Sequence, residues 1–141
     1  MVDALEGCPP GDLLEAAKRV AGNAYAPYSG FRVASAVRAE SGRIYAGVNV
    51  ENSSYGLTVC AERVAVFSAV TNGERAIREV LVYALDSEEP VFPCGACLQV
   101  LSEFSPEGDT IVYAYSPRSG RCERASLREL LPRAFRLGHR I

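Results

Sequence analysis

No run in this 141-residue sequence is long and apolar enough to form a helix that spans a bilayer, so membrane residence is not indicated. The stretch from Met1 to Asp12 also lacks the basic start and apolar run of an export signal, and a cytoplasmic address is the expectation. Neither sign of charge dominates. Fifteen Lys and Arg against seventeen Asp and Glu leave a formal net charge of -2, with no general attraction to polyanions, so nucleic acid is not an expected partner. Tryptophan is absent and Lys18 is the only lysine, a bias that carries no mechanistic reading. The single histidine, His139, lies beside Arg140 in a basic tail and reads as a solvated terminus rather than a catalytic group. Repeats, low-complexity tracts and linkers are missing too, so residues 1–141 read as a single domain, long enough to bury a core without staples.

What the sequence does hold is five cysteines, an odd set in a chain without an export signal. That combination argues against a disulfide framework and predicts reduced thiols. Cys8 and Cys122, which have no tightly spaced partner, read as small buried hydrophobes.

Hydrophobic spacing supplies the elements. Asp12-Leu13-Leu14-Glu15 has a capping-box pattern, and Leu14, Ala17, Val20, Ala21 and Ala24 follow at helical spacing. The runs 31–40 and 43–50 flank Ser41-Gly42 and predict a hairpin. A small-residue loop then leads to Cys60 and an apolar helix over 61–70, ended by Asn72-Gly73. A strand over 79–86, a helix over 95–104, a strand over 110–116, a short strand over 122–125 and a final short helix opened by a second capping box at Ser126 complete the order. Alternation of strands and helices after a hairpin predicts an α/β fold, three layers with a mixed sheet of about five strands and helices on both faces.

Cys60-Ala61-Glu62 opens one predicted helix and Pro93-Cys94-Gly95-Ala96-Cys97 opens another, and soft thiolates at these spacings can converge on one zinc ion. Cys94 and Cys97 sit one helical turn apart and share a side. Cys60 and Glu62 diverge in an ideal helix, so the metal must lie off the helix start, where unpaired amides stabilise thiolate. Three protein ligands leave one tetrahedral position open, the mark of a catalytic rather than a structural zinc site. Three thiolates overcompensate a divalent ion, and Arg63 is the candidate to donate hydrogen bonds to sulfur and offset that charge.

Blander readings exist. A lone C-x-x-C is also a redox motif, but a thioredoxin-like protein has no Cys-x-Glu upstream. A structural zinc site needs a fourth ligand, for which Cys8, Cys122 and His139 lack the spacing, and it leaves Glu62 unexplained.

A ligand, one spacer and Glu, followed by Pro-Cys-x-x-Cys, is the signature of zinc deaminases. Over nearly its whole length the sequence resembles the short-chain cytidine deaminases, in Ala24-Tyr25-Ala26-Pro27-Tyr28-Ser29, Asn49-Val50-Glu51-Asn52, Cys60-Ala61-Glu62-Arg63 and Pro93-Cys94-Gly95-Ala96-Cys97. The resemblance implies one zinc per subunit on Cys60, Cys94 and Cys97, with Glu62 carrying a proton from water to the pyrimidine ring and then to the departing amine. It implies that Asn49 and Glu51 hold the sugar hydroxyls, that Phe31 packs on the base and that Ala61 borders the substrate. It also implies a homotetramer in which Tyr55 and Phe135 reach a neighbouring subunit's site. Cytidine and deoxycytidine would be hydrolysed to uridine, deoxyuridine and ammonia, a step of pyrimidine salvage. A relative acting on another aminopyrimidine nucleoside, such as blasticidin S, is the alternative. Two departures from the family pattern stand out: Leu98 where arginine is frequent, and Gly30-Phe31-Arg32 where Lys-Phe-Pro is commoner. The tail 136–141 has no family counterpart.

Overall fold

The computed structural model describes residues 7–137, so His139 and the tail beyond Leu137 lie outside the described residues. The chain runs α1 (Gly11–Ala21), β1 (Val33–Ala39), β2 (Ile44–Val48), a 3-10 turn (Tyr55–Leu57), α2 (Ala61–Thr71), β3 (Ile77–Ala84), α3 (Gly95–Glu103), β4 (Ile111–Ser116), β5 (Arg121–Ser126) and α4 (Leu127–Leu130). The five strands form one sheet in the order β2-β1-β3-β4-β5. Only β3 and β4 are parallel, and α3 is their crossover; the other neighbours are antiparallel.

Alternation along the strands decides what each face buries. Ala34 and Ala36 of β1, Leu81 and Tyr83 of β3 and Tyr113 of β4 pack with Leu13 and Ala17 of α1 on one face. Val37 and Ala39, with Val80, meet Ala65, Val66 and Ala69 of α2 and Leu98 and Leu101 of α3 on the other. The result is the expected three-layer α/β arrangement. Leu98 is buried in the second cluster, so its apolar side chain serves the core where an arginine could not without a partner.

Close packing of α2 depends on one glycine. A Cβ at Gly47 would come within 2.6 Å of the Ala65 amide and 2.8 Å of Val64 Cβ, so only glycine lets α2 approach the sheet this closely. Since Cys60 opens α2, Gly47 also fixes where that thiol sits.

Three expectations change. Asp12 does not cap α1: Pro10 occupies the N-cap position, where it has no side-chain donor or acceptor, and the Asp12 carboxylate accepts from the Leu13 amide and from Arg38 instead. The strand expected at 79–86 begins two residues earlier, at Ile77, because the Ile77 amide donates to Phe104 and a register shift at Arg38/Ala39 brings Ala39 opposite it. Cys8 and Cys122 are not free. They form a disulfide with Cα atoms 5.8 Å apart, because the segment entering α1 runs beside β5 although 114 positions separate the two residues in sequence. Sequence spacing could not show that proximity. The second capping box is present as expected, with Ser126 accepting from the Glu129 amide and Glu129 accepting in return.

Candidate active site

Both metal-binding motifs end up at helix starts. Cys60 is the N-cap residue of α2 and Cys94 that of α3, each in extended backbone conformation. Cys97 follows in the first turn of α3 and is fully buried. The three sulfurs lie within 4.8 Å of one another, and the Cys94 and Cys97 sulfurs are 3.7 Å apart. Tetrahedral geometry with Zn–S bonds of about 2.3 Å requires sulfur separations of roughly 3.8 Å, so the donor set fits zinc. Among the described residues this is the one cluster of its kind.

Electrostatics divide the thiols. Cys60 is held down to about 5, first by the hydrogen bond from Cys97 and further by Arg63. Cys97 is pushed up, because it supplies the proton for that bond and is itself buried. One thiolate thus forms readily, and a divalent cation displaces the remaining protons. Arg63 Nη2 donates to the Cys60 sulfur at 3.6 Å.

Glu62 is 5% exposed, and burial raises its carboxyl to about 7, with the Cys60 charge adding to the rise. A carboxyl poised near neutrality can both take and give a proton. Ala61, fully buried, separates it from Cys60.

A second group of candidates gathers on the loop before β1 and the segment after β2. Asn49, 8% exposed, donates through its carboxamide to the Phe31 carbonyl at 2.8 Å and accepts from the Val33 amide at 3.0 Å. Glu51 accepts from the amides of Tyr28 at 2.9 Å and Ser29 at 3.1 Å, and from the Ser29 hydroxyl. These contacts hold its carboxyl below the usual range, the Ser29 hydroxyl contributing most. Between Asn49 and Glu51, Val50 exchanges two backbone hydrogen bonds of 3.0 Å with Val59, the residue before Cys60. The two groups are thereby coupled through main chain. A cavity of about 320 Å³ is lined by Tyr28, Ser29, Glu51, Tyr55 and Thr58.

Tyr55 and Phe135 are both largely exposed, 74% and 68%. Tyr55 meets Tyr28 edge to face with centroids 6.0 Å apart, and Gln99 of α3 donates to the Phe135 carbonyl at 3.1 Å. The sequence assigned no role to Ser29, which figures only as the end of the Ala24–Ser29 motif, or to Gln99, inside the helix expected over 95–104.

The cytidine and deoxycytidylate deaminase zinc-binding region family matches residues 11–114. The chain belongs to this family. It is 46% identical over 123 residues to the cytidine deaminase of Sporosarcina psychrophila, covering 87% of this chain and 88% of that one. The crystal structure of cytidine deaminase from Burkholderia pseudomallei superposes with a TM-score of 0.83 at 40% identity, covering 90% of this chain and 99% of that one. A blasticidin-S deaminase of Bacillus cereus is more distant, 31% identical over 107 residues, covering 71% of this chain and 74% of that one. Zinc is accordingly the metal of this deaminase family member, and hydrolytic deamination its reaction class.

Proposed function

We propose that the chain hydrolyses cytidine and deoxycytidine to uridine and deoxyuridine, releasing ammonia. The observation that carries this reading is a buried carboxyl, Glu62, two positions along the chain from Cys60 of the three-thiol cluster. Greater identity to the cytidine deaminases than to the blasticidin-S enzyme favours cytidine over other aminopyrimidine nucleosides.

Cys60, Cys94 and Cys97 would hold the zinc ion, which would supply a Lewis acid able to lower the pKa of the attacking water to about 7. Glu62 accepts the proton which that water loses and donates it to the ring nitrogen beside the amino-bearing carbon. The oxygen adds to that carbon, making it tetrahedral. Glu62 then moves the proton from the new hydroxyl to the amino nitrogen, the carbon–nitrogen bond breaks and ammonia leaves. Burial of Glu62 suits both transfers, because neither protonation state is locked.

Asn49 and Glu51 are the sugar-binding groups in this reading, Phe31 packs on the base and Ala61 borders it. Arg63 offsets thiolate charge. The exposure of Tyr55 and Phe135 supports a homotetramer in which these aromatics complete a neighbour's site. A single catalytic domain over 1–141, a cytoplasmic location and a role in pyrimidine salvage complete the proposal. Among the described residues no helix is long and apolar enough to cross a membrane.

The test is zinc-loaded protein mixed with cytidine, deoxycytidine and blasticidin S, following ammonia release and ultraviolet absorbance. Turnover of the first two, lost in Glu62→Gln with zinc still bound, is the expected result. Bound zinc with turnover of blasticidin S alone would replace the substrate assignment. No turnover of any of them would overturn the deaminase reading.

A further inference from the structure

Three candidate substrate residues come from two stretches of chain, Phe31 before β1 and Asn49 and Glu51 after β2, and one side chain outside that set bridges the two stretches. The Ser29 hydroxyl donates to Glu51 Oε2 and accepts from the Phe31 amide at 3.0 Å. A hydroxyl has a single proton. Because the Phe31 N–H points at Ser29 Oγ, that proton is directed to the carboxylate, and the direction of the bond is fixed. Gly30, with φ +72°, turns the chain so that the Phe31 amide returns to the residue two positions before it, a conformation that disfavours any side chain at Gly30.

The acceptor count at Glu51 gives this bond its meaning. An ionised carboxylate has about four lone-pair sites. Two amides, from Tyr28 and Ser29, occupy Oε1, and the Ser29 hydroxyl occupies one site of Oε2. Roughly one acceptor site is left, on Oε2, beside the cavity that Ser29, Glu51 and Tyr55 line. Remove the hydroxyl and Oε2 loses the donor that fixes its orientation, while the two amides still hold Oε1.

We propose that Ser29 is a positioning residue for sugar recognition, holding the Glu51 carboxylate so that its free acceptor site meets a sugar hydroxyl and tying that carboxylate to the backbone of Phe31. The proposal rests on the reading of Glu51 as a sugar-binding group. Ser29 touches neither the reacting carbon nor the metal ligands, so its effect falls on binding.

The experiment measures KM and kcat for cytidine, and the inhibition constant of 2′,3′-dideoxycytidine, in the zinc-loaded wild type and in Ser29→Ala, Ser29→Thr, Glu51→Gln and the Ser29→Ala/Glu51→Gln pair. Ser29→Ala should raise the cytidine KM about tenfold, the size of a lost hydrogen bond to a charged group, and leave kcat within about twofold. The inhibition constant of the dideoxy compound should not move, since it offers no sugar hydroxyl at those positions. Ser29→Thr should restore the cytidine KM, and Ser29→Ala should add nothing on top of Glu51→Gln. An equal loss for cytidine and the dideoxy compound would make Ser29 a merely structural residue and sink the proposal. If Glu51→Gln raises the cytidine KM but Ser29→Ala does not, the Ser29 role alone fails. If Glu51→Gln also leaves it unchanged, the sugar reading of Glu51 fails and the Ser29 role with it.

Discussion

Glu62 and Glu51 flank Cys60, carry the same side chain, and have been pushed in opposite directions. Glu62 sits in the first turn of α2, almost sealed from solvent, and burial raises its carboxyl to about 7. Glu51 lies on a half-exposed loop facing three donors, which hold its carboxyl below the usual value of 4.5. The fold thus makes one carboxylate whose proton can move and one that remains an acceptor at neutral pH. The difference is environmental: desolvation penalises the charged form, and hydrogen bonds to that form favour it. Chemistry belongs to the first group and recognition to the second, and Val50–Val59 pairing keeps them in register.

The sharpest way to break this comparison is to neutralise each group in turn. Glu62→Gln should lower kcat by about 10²–10⁴-fold, the usual contribution of a positioned acid and base, with zinc content unchanged. Glu51→Gln should act mainly on KM. A kcat loss from Glu51→Gln equal to that from Glu62→Gln would erase the division of labour.

Stability of the metal-free protein separates the two groups without any substrate. The unfolded chain ionises Glu62 near 4.5 and the folded chain near 7. Below 4.5 both states hold the proton and no penalty exists. As pH rises from 4.5 to 7 the unfolded state loses its proton first, so the Glu62 contribution to folding stability falls, by about 3 kcal/mol at 1.36 kcal/mol per unit. Cys60, held down to about 5 in the folded metal-free chain, contributes with the opposite sign as pH rises above 5, so the Glu62 contribution is read from the difference between wild type and Glu62→Gln. Chemical denaturation across that window should show the wild type losing stability relative to Glu62→Gln as pH rises, and a difference that does not change with pH would remove the raised Glu62 carboxyl.

Arg63 tests the charge balance on the metal side. Its Nη2 donates to the Cys60 sulfur, and side chains that orient ligands in this way typically contribute 10–100-fold to metal affinity. Arg63→Ala should weaken zinc binding by about that factor in a chelator competition assay. Unchanged zinc affinity and unchanged rate would reduce Arg63 to a bystander.

The metal side was far more legible in the sequence than the recognition side, and the reason is spacing. Cys60-Ala61-Glu62 and Cys94 to Cys97 announce themselves because helix starts constrain ligand positions to within a turn, and the structure places Cys60 and Cys94 at N-caps. Periodicity likewise gave the sheet and its helices, since the central strands β1, β3 and β4 alternate between two buried faces. Contacts between distant segments leave no such trace. The Cys8–Cys122 bond spans 114 positions, and the Ser29–Glu51 bond joins two loops whose meeting depends on the hairpin between them. Arg32 shows the same limit. Where proline is commoner in the family, its guanidinium makes a two-point contact with Asp86 at 2.7 and 2.9 Å, a partner that no local pattern could nominate.

The smallest expected effect lies at the acid end, on Glu51. Its folded-state carboxyl is depressed, so the contacts it makes with Tyr28 and Ser29 are present above 4.5 and are lost as pH falls through the lower folded value. Carbon-13 NMR of the side-chain carboxyl should show a midpoint below 4.5 in the wild type. Ser29→Ala removes the largest of the depressing contacts and should move that midpoint back toward 4.5, while the two amide donors keep part of the shift. Glu62→Gln should leave it in place, because the second carboxylate is set by its own donors. A wild-type midpoint at or above 4.5 would mean that the three donors do not hold Glu51 in solution, and the contrast between a mobile proton and a fixed acceptor would rest on Glu62 alone.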